Sequence, residues 1–511
     1  MGKNLLLAVC TLASVSVQAQ KTADPQPFAK TITTTDLKKH LSIIAGAEME
    51  GRDTPSPGLE KAAVYIETQF KAFGVQPGNK DSYRQLFDLE KDSASTLTLN
   101  IGGIAFNAWS DFAPWIQMPQ QADLKFSEYV FVGYGIVDEK RDDYKTTDVK
   151  GKLVILLSGQ PDGFKTDKPR RQSPVFTANK IANAKKKGAV AVLVIADQLP
   201  SQQQLNNSYR PKPDVATQEE NTAIPAFYVN DNVVKKDGHS ISEIKAALGA
   251  GVADPIVRQM PVTMQYTSGK KVATVSNVVG LVEGSDKKDE YLFVTAHYDH
   301  VGMDEKGNIY YGADDDGSGT VSVMKMAEAF AKAKKEGKGP RRTVVFMLVA
   351  GEEKGLWGSE YYSEHPIFPL DKTTADLNID MIGRIDTERM TADTQNYVYV
   401  VGHNKLSTDL PKINEGMNNK YTKLVLDYKF DDPNDPNRIY YRSDHYNFAR
   451  KGVPVLFFYD GMLKADYHKP TDTVDKINFP LMAKRAQMIF YTAWEMANRN
   501  DMLKRDLKLT Q

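Results

Sequence analysis

The chain has 511 residues, 41% hydrophobic and 25% charged, enough for two or three domains around a large hydrophobic core. Its 65 basic and 65 acidic residues balance, which removes the electrostatic case for a nucleic-acid partner or an anionic membrane surface. The only cysteine, Cys10, lies in the N-terminal apolar segment, so the rest of the chain has no disulfide or thiol chemistry.

In MGKNLLLAVCTLASVSVQAQ, Lys3 supplies a positive start, Leu5 to Leu12 an apolar stretch, and Val17-Gln18-Ala19 a small-residue cleavage pattern. A secretory leader over residues 1–19 is expected, with an exported protein, periplasmic or extracellular, beginning at Gln20. The stretch is too short to span a bilayer and no later segment is a candidate, so no stable membrane insertion is expected. Lipid attachment at Cys10 is the weaker alternative, because Val9 stands where such sites take a small residue.

From Thr33 to about Phe87 the pattern is helical. DLKKHLSIIAG and GLEKAAVYIETQFKAFGV carry apolar residues three and four apart, separated by the loop GRDTPSPG. Short strand-like runs follow. From Glu128 come EYVFVGYGI, DVKGKLVILLSG, a basic helix KIANAKKKGAVAVLVIAD and AIPAFYVN, and a Gly- and Ala-rich passage near 238–254 closes this unit. Beyond it YLFVTAHYD, the helical SGTVSVMKMAEAFAKAKKEG, TVVFMLVAGEE, TADLNIDMIG and GVPVLFFYD alternate as βα units. They predict an α/β fold with a mostly parallel, mixed sheet flanked by helices. FPLMAKRAQMIFYTAWEMAN is an amphipathic helix covering one face. In DDPNDPN, Asp431 to Asn437, turn chemistry is the stronger reading and calcium the weaker.

Ligands of open α/β sheets bind beyond the carboxyl ends of the strands, and here those ends carry chemistry. One strand finishes in His297-Tyr298-Asp299, another in Glu352-Glu353, a third in Asp380; GADDDGSG lies between the first two, and YHKPTDTVDK places His468 in a loop. Each motif has an ordinary explanation. An acidic turn before a helix usually caps it, a loop histidine usually makes a surface hydrogen bond, and paired glutamates are usually solvated. Together, at successive strand ends, they point to a catalytic zinc site, because imidazole and carboxylate without cysteine suit that use. The surplus of donors over one ion's needs suggests two ions sharing a carboxylate.

With VTAHYDHVG, GADDDGSGT, AGEEKGLWGS, NIDMIGR and YHKPTDTVDK in that order, the chain resembles the dizinc exopeptidases that include bacterial leucyl-type aminopeptidases, glutamate carboxypeptidase and glutaminyl cyclase. FVGYGI, DVKGKLVILL and KKGAVAVLVI resemble a protease-associated (PA) domain, and GRDTPSPGLEKAAVYI is similar to the family's N-terminal helix. The implied organisation is 20–121 as the first part of the peptidase domain, 122–251 as an inserted, smaller α/β-type PA domain, and 252–511 as the main zinc-exopeptidase part.

The resemblance also implies roles. His297 and Asp380 would bind one Zn2+, Glu353 and His468 the other, and Asp315 would bridge both, with Asp314 and Asp316 as competitors for that register. Asp299 would fix the His297 ring. Glu352 would be the general base that deprotonates the attacking water, and Tyr467 a donor to the oxyanion. Asp444 and His445 would shape a loop, and His300 and His365 would be structural. The implied activity is an aminopeptidase acting on peptide substrates. Alternatives are single-zinc glutaminyl cyclisation, carboxypeptidase or dipeptidase activity, and a receptor-like binding module without intact metal sites.

Overall fold

A computed structural model of the chain describes residues 23–509 apart from 116–120, 140, 167, 169–171, 203–208, 213–223, 236–239, 250–255 and 391–392. The expected leader, with Cys10, lies outside the described residues. Two compact units form: one runs to Leu86 and resumes at Val275, the other is Phe87–Thr274.

In the first unit the sheet order is Val425–Asp427, Tyr397–Val401, Val455–Tyr459, Thr373–Ile379, Lys287–His297, Arg342–Val349, then the end of Val262–Val282. Lys287–His297 runs parallel to both neighbours, and Thr373–Ile379 parallel to Val455–Tyr459. Antiparallel pairing enters toward both sides, through Tyr397–Val401 and through Val278–Val282. The sheet is therefore mixed with a parallel centre. Val344 to Val349 are completely buried, as an unbroken apolar run covered on both faces requires.

Helix Thr34–Ile44 is capped by Thr33, whose side chain accepts from the Asp36 amide, and Pro57–Phe73 by Ser56, which accepts from the Leu59 amide. Gly74, at φ +76°, ends the latter in the left-handed conformation that only glycine adopts freely. Helices Gly319–Lys335 and Phe479–Asn498 meet through Phe330, whose ring lies 4.9 Å from Phe490 and 5.5 Å from Trp494. Arg485, fully buried on the second of these, donates to the carbonyls of Tyr397, Ile382 and Arg384. It thereby pins the loop that follows Asp380.

The second unit holds a sheet ordered Ile256–Arg258, Tyr129–Phe131, Leu153–Leu157, Ala191–Ile195, Ala226–Val229, Phe112–Pro114, with the inner four strands parallel. One element differs from its sequence reading. KIANAKKKGAVAVLVIAD is a helix only to Lys186, and Ala191–Ile195 is a buried strand. Gly188 at φ +96° breaks the helix, and the β-branched run beyond it packs better on a pleated sheet.

The DDPNDPN loop follows turn chemistry: Asp432 accepts from the Asn434 amide, and Asp435 from those of Asn437 and Ile439. No described helix is long and apolar enough to cross a membrane.

Phe293 lies at the centre of the aromatic core, fully buried, 5.4 Å from the Tyr362 ring and 5.3 Å from that of Phe448. Phe293→Ala is expected to destabilise the first unit by about 3–5 kcal/mol, read as a lowered midpoint of its urea unfolding transition.

Candidate metal centre

Every residue of the candidate centre follows a strand end or lies in a loop braced against one. His297 ends its strand, Asp380 comes one residue after Thr373–Ile379, and Glu352 and Glu353 come just after Arg342–Val349. Gly351 at φ +76° turns the chain between that strand and the glutamates. Asp315 lies in the turn Ala313–Ser318 that opens helix Gly319–Lys335, and His468 in the loop beyond Val455–Tyr459.

These side chains converge. Asp315 stands between two imidazoles, Oδ1 3.3 Å from His297 Nε2 and Oδ2 3.2 Å from His468 Nε2. Asp380 Oδ1 lies 3.6 Å from His297 Nε2. Glu352 Oε2 also faces His297 Nε2, at 3.8 Å, whereas Glu353 Oε2 lies 2.8 Å from His468 Nε2. The consecutive glutamates thus address opposite sides of Asp315.

Of the three aspartates in the turn, Asp315 alone reaches both imidazoles. Asp316 Oδ1 accepts from the Gly319 and Met381 amides, at 2.8 and 3.1 Å, which is capping work. Asp314 accepts from the Gly383 amide and the Ser318 hydroxyl. Two donor groups compact enough for a cation occur among the described residues: His297 with Asp316 and Asp380, and His300 with Asp315 and Glu353.

Asp299 accepts from the Glu352 amide and the Thr54 hydroxyl. The His297 Nδ1 contact is to the main-chain oxygen of Asp299, at 3.1 Å, with the carboxylate farther away at 3.7 Å. Tyr467 stacks on the His468 ring, centroids 3.8 Å apart, and its hydroxyl accepts from Arg442. Asp444 accepts from Ser359, and His445 stacks on Phe457. His365 is exposed and stacks on Tyr361. His300, read as structural in the sequence, has its Nδ1 2.8 Å from Glu353 Oε1.

Several braces carried no distinct signal in the sequence. Arg52, fully buried, donates to the carbonyls of Ile44, Tyr298, Tyr311 and Gly312, tying the His297 strand end to the acidic turn. Asp53 pairs with Lys354 at 2.6 Å. Asp472 accepts from the Asp314 and Asp315 amides. Ser443 donates to Asp380 Oδ2 and accepts from Asn378, leaving Asp380 Oδ1 for His297. The motif GRDT was visible, but nothing in it announces a partner more than two hundred residues away.

The residues fit a divalent cation. His297 Nε2, His468 Nε2, Asp315 Oδ2 and Glu353 Oε1 are buried without a hydrogen-bond partner, a costly arrangement unless something positive lies between them. Burial would pull the His297 imidazole down, but the charges of Glu352 and Asp380 outweigh it and hold the ring well above its ordinary value. For His468 burial is likewise overcome, by Asp315 and Glu353, which carry it up to about 10. Burial, with Glu353 and Asp380 adding to it against His297, pushes the Glu352 carboxyl well above the carboxylate range.

His468 therefore holds a proton at neutral pH before a cation enters, His297 is shifted in the same direction, and ligation needs the neutral ring. Cation uptake is expected to release protons and to strengthen as pH rises from neutrality. Calorimetric titration in buffers of different ionisation enthalpy measures the release, and binding heats independent of the buffer would contradict it.

Residues 277–493 match peptidase family M28, and residues 126–237 match the PA domain. The chain is similar to a probable leucine aminopeptidase of Arthroderma benhamiae, 26% identical over 285 residues, covering 54% of this chain and 74% of that protein. A shorter stretch of 118 residues is 32% identical to a probable glutamate carboxypeptidase of Arabidopsis thaliana, covering 23% of this chain and 16% of that one. The fold is similar to an aminopeptidase from Aneurinibacillus sp. strain AM-1, TM-score 0.55 and 19% identity over 96% of this chain and 100% of that one. A zinc aminopeptidase from Bacillus subtilis has TM-score 0.51 and 19% identity over 93% and 99%. Residues 277–493 thus form a domain of peptidase family M28, a metallopeptidase family, and residues 126–237 a PA domain.

Proposed function

We propose that the protein is an exported zinc-dependent aminopeptidase that removes the N-terminal residue of peptides. The observation that carries this reading is Asp315 between His297 and His468, with Glu352 and Glu353 turned to opposite sides. The similarity to probable leucine aminopeptidases supports the choice of peptide end. The leader-like Leu5 to Ala19 segment supports export.

His297 and Asp380 would hold one zinc ion, Glu353 and His468 the other, and Asp315 both. Bound there, the ions would acidify water and polarise the scissile carbonyl. The remaining work belongs to the chain. Glu352 stands free of His468 and close to the His297 side, where it would take the proton of the attacking water and return it to the leaving amine. Tyr467 accepts a hydrogen bond from Arg442, so its own proton is free for the oxygen that becomes negative as the carbonyl is attacked. Asp299 would keep the His297 ring in place through the contact at Nδ1. Carboxylates gathered around His297 would attract the substrate ammonium.

The reading is tested by incubating zinc-loaded protein with a peptide beginning Gln-Leu and following its mass. Loss of a whole glutamine residue is expected; loss of one ammonia would mean cyclisation, and release from the other end a carboxypeptidase.

The two glutamates should separate in variants. Glu352→Gln is expected to lower kcat/KM by about 10²–10⁴-fold with metal content unchanged. Glu353→Gln is expected to lose bound metal, measured by elemental analysis after dialysis. Equal metal loss in both variants would defeat the division of labour.

A further inference from the structure

His300 sits beside Asp315 and Glu353 with no task in the reading above. Its ring is fully buried. Nδ1 lies 2.8 Å from Glu353 Oε1 and 3.7 Å from Asp315 Oδ2. Despite this closeness neither ring nitrogen makes a hydrogen bond, and neither does Glu353 Oε1 or Asp315 Oδ2.

His468 shows the same behaviour. Its Nε2 approaches the same two carboxylates, at 2.8 and 3.2 Å, and is likewise without a hydrogen-bond partner. The two rings meet edge to face, centroids 5.7 Å apart at 74°. Two nitrogens thus converge on one pair of carboxylates from different directions. Buried polar atoms that approach one another without hydrogen-bond alignment are expensive, and a cation held among them removes the cost.

The backbone holds His300 there. Its amide donates to the Arg52 carbonyl. Gly312 makes the room, since a Cβ on that residue would lie 2.5 Å from His300 Cγ.

We propose that His300 is a further side-chain donor, through Nδ1, to the cation held by Asp315, Glu353 and His468. The proposal rests on the metal-centre reading and is independent of which peptide bond is cut. The two halves of the centre then differ in chemistry. One offers two imidazoles with Glu353 and the shared Asp315; the other offers His297 alone among carboxylates. Imidazole donors suit zinc, cobalt and nickel, whereas carboxylate-rich sets also accept manganese and magnesium. The His300 half is the one that holds zinc more selectively.

The competing role is a hydrogen bond from His300 to Glu353 that only steadies the carboxylate. Loss of metal affinity in a variant would not separate the two, because a steadying partner also affects affinity by about 10–100-fold. A count of coordinated rings does. In the proton NMR spectrum of the cobalt-loaded full chain, each imidazole bound to the paramagnetic ion gives one strongly shifted, solvent-exchangeable N–H signal.

Three such signals are expected, for His297, His300 and His468, falling to two in His300→Gln and staying at three in the surface control His365→Gln. Two signals in the unmodified protein overturn the proposal, and that spectrum decides the matter even if His300→Gln fails to fold. A chain that takes up no cobalt overturns it together with the metal-centre reading. Three signals in a protein that leaves peptide N-termini intact would uphold it while the aminopeptidase reading falls.

Discussion

A carboxylate buried between two imidazoles, one of its oxygens without a hydrogen-bond partner, is the constraint around which the catalytic unit is arranged. Burial would raise the Asp315 carboxyl, but His297 and His468 beside it hold it well below its ordinary value. Here the turn carrying Asp315 is held from several directions: Asp472 binds the amides of Asp314 and Asp315, Asp316 caps the following helix, and Arg52 grips the carbonyls of Tyr311 and Gly312. Each brace comes from a different part of the chain. The centre is a convergence of strand ends tied together by backbone hydrogen bonds, and the chemistry proposed for it depends on that stiffness.

The segment around Arg52 shows how far the centre extends beyond the strands that carry its donors. Residues 277–493 match the family, yet Arg52, Asp53 and Thr54 hold three of its motif loops. Among the described residues Arg52 makes no close carboxylate pair. Its hydrogen bonds go to four carbonyls, so it acts as a rigid fork for backbone, a role that lysine, with one compact charge, could not copy. Gly51, at φ +67°, lets this segment pass against the carbonyls of Gly302 and Tyr310, which a Cβ would meet at 2.3 and 2.6 Å.

Neighbouring glutamates with different surroundings illustrate how a strand end divides chemistry. Glu352 and Glu353 follow the same buried strand, and the turn that begins at Gly351 sends their side chains apart. One meets His297 and the other His468. Burial then separates them electrostatically. Glu352 is pushed up by desolvation, whereas for Glu353 the histidines His300 and His468 outweigh burial and the Asp315 charge and hold it lower. Groups whose environments drive them apart suit separate acid–base and binding work.

Much of the fold was legible because it rests on local pattern. The apolar run Val344 to Val349 and the βα alternation are short-range signals, and the parallel centre of the sheet follows from them. The donor types were legible too, since histidine and acid at successive strand ends are a matter of sequence order. The resemblance carried the choice of Asp315 over its neighbours, which periodicity alone left open. Where the chain resumes after Lys186 was misread, because an alanine-rich stretch suits helix and strand alike until Gly188 turns the backbone. Arg52, Ser443 and Asp472 stayed silent because a hydrogen bond to a distant carbonyl or amide leaves no trace in spacing. His300 is the sharpest case: the sequence determined that an imidazole follows Asp299, and only packing against Gly312, Asp315 and Glu353 decided that its nitrogen faces the acids.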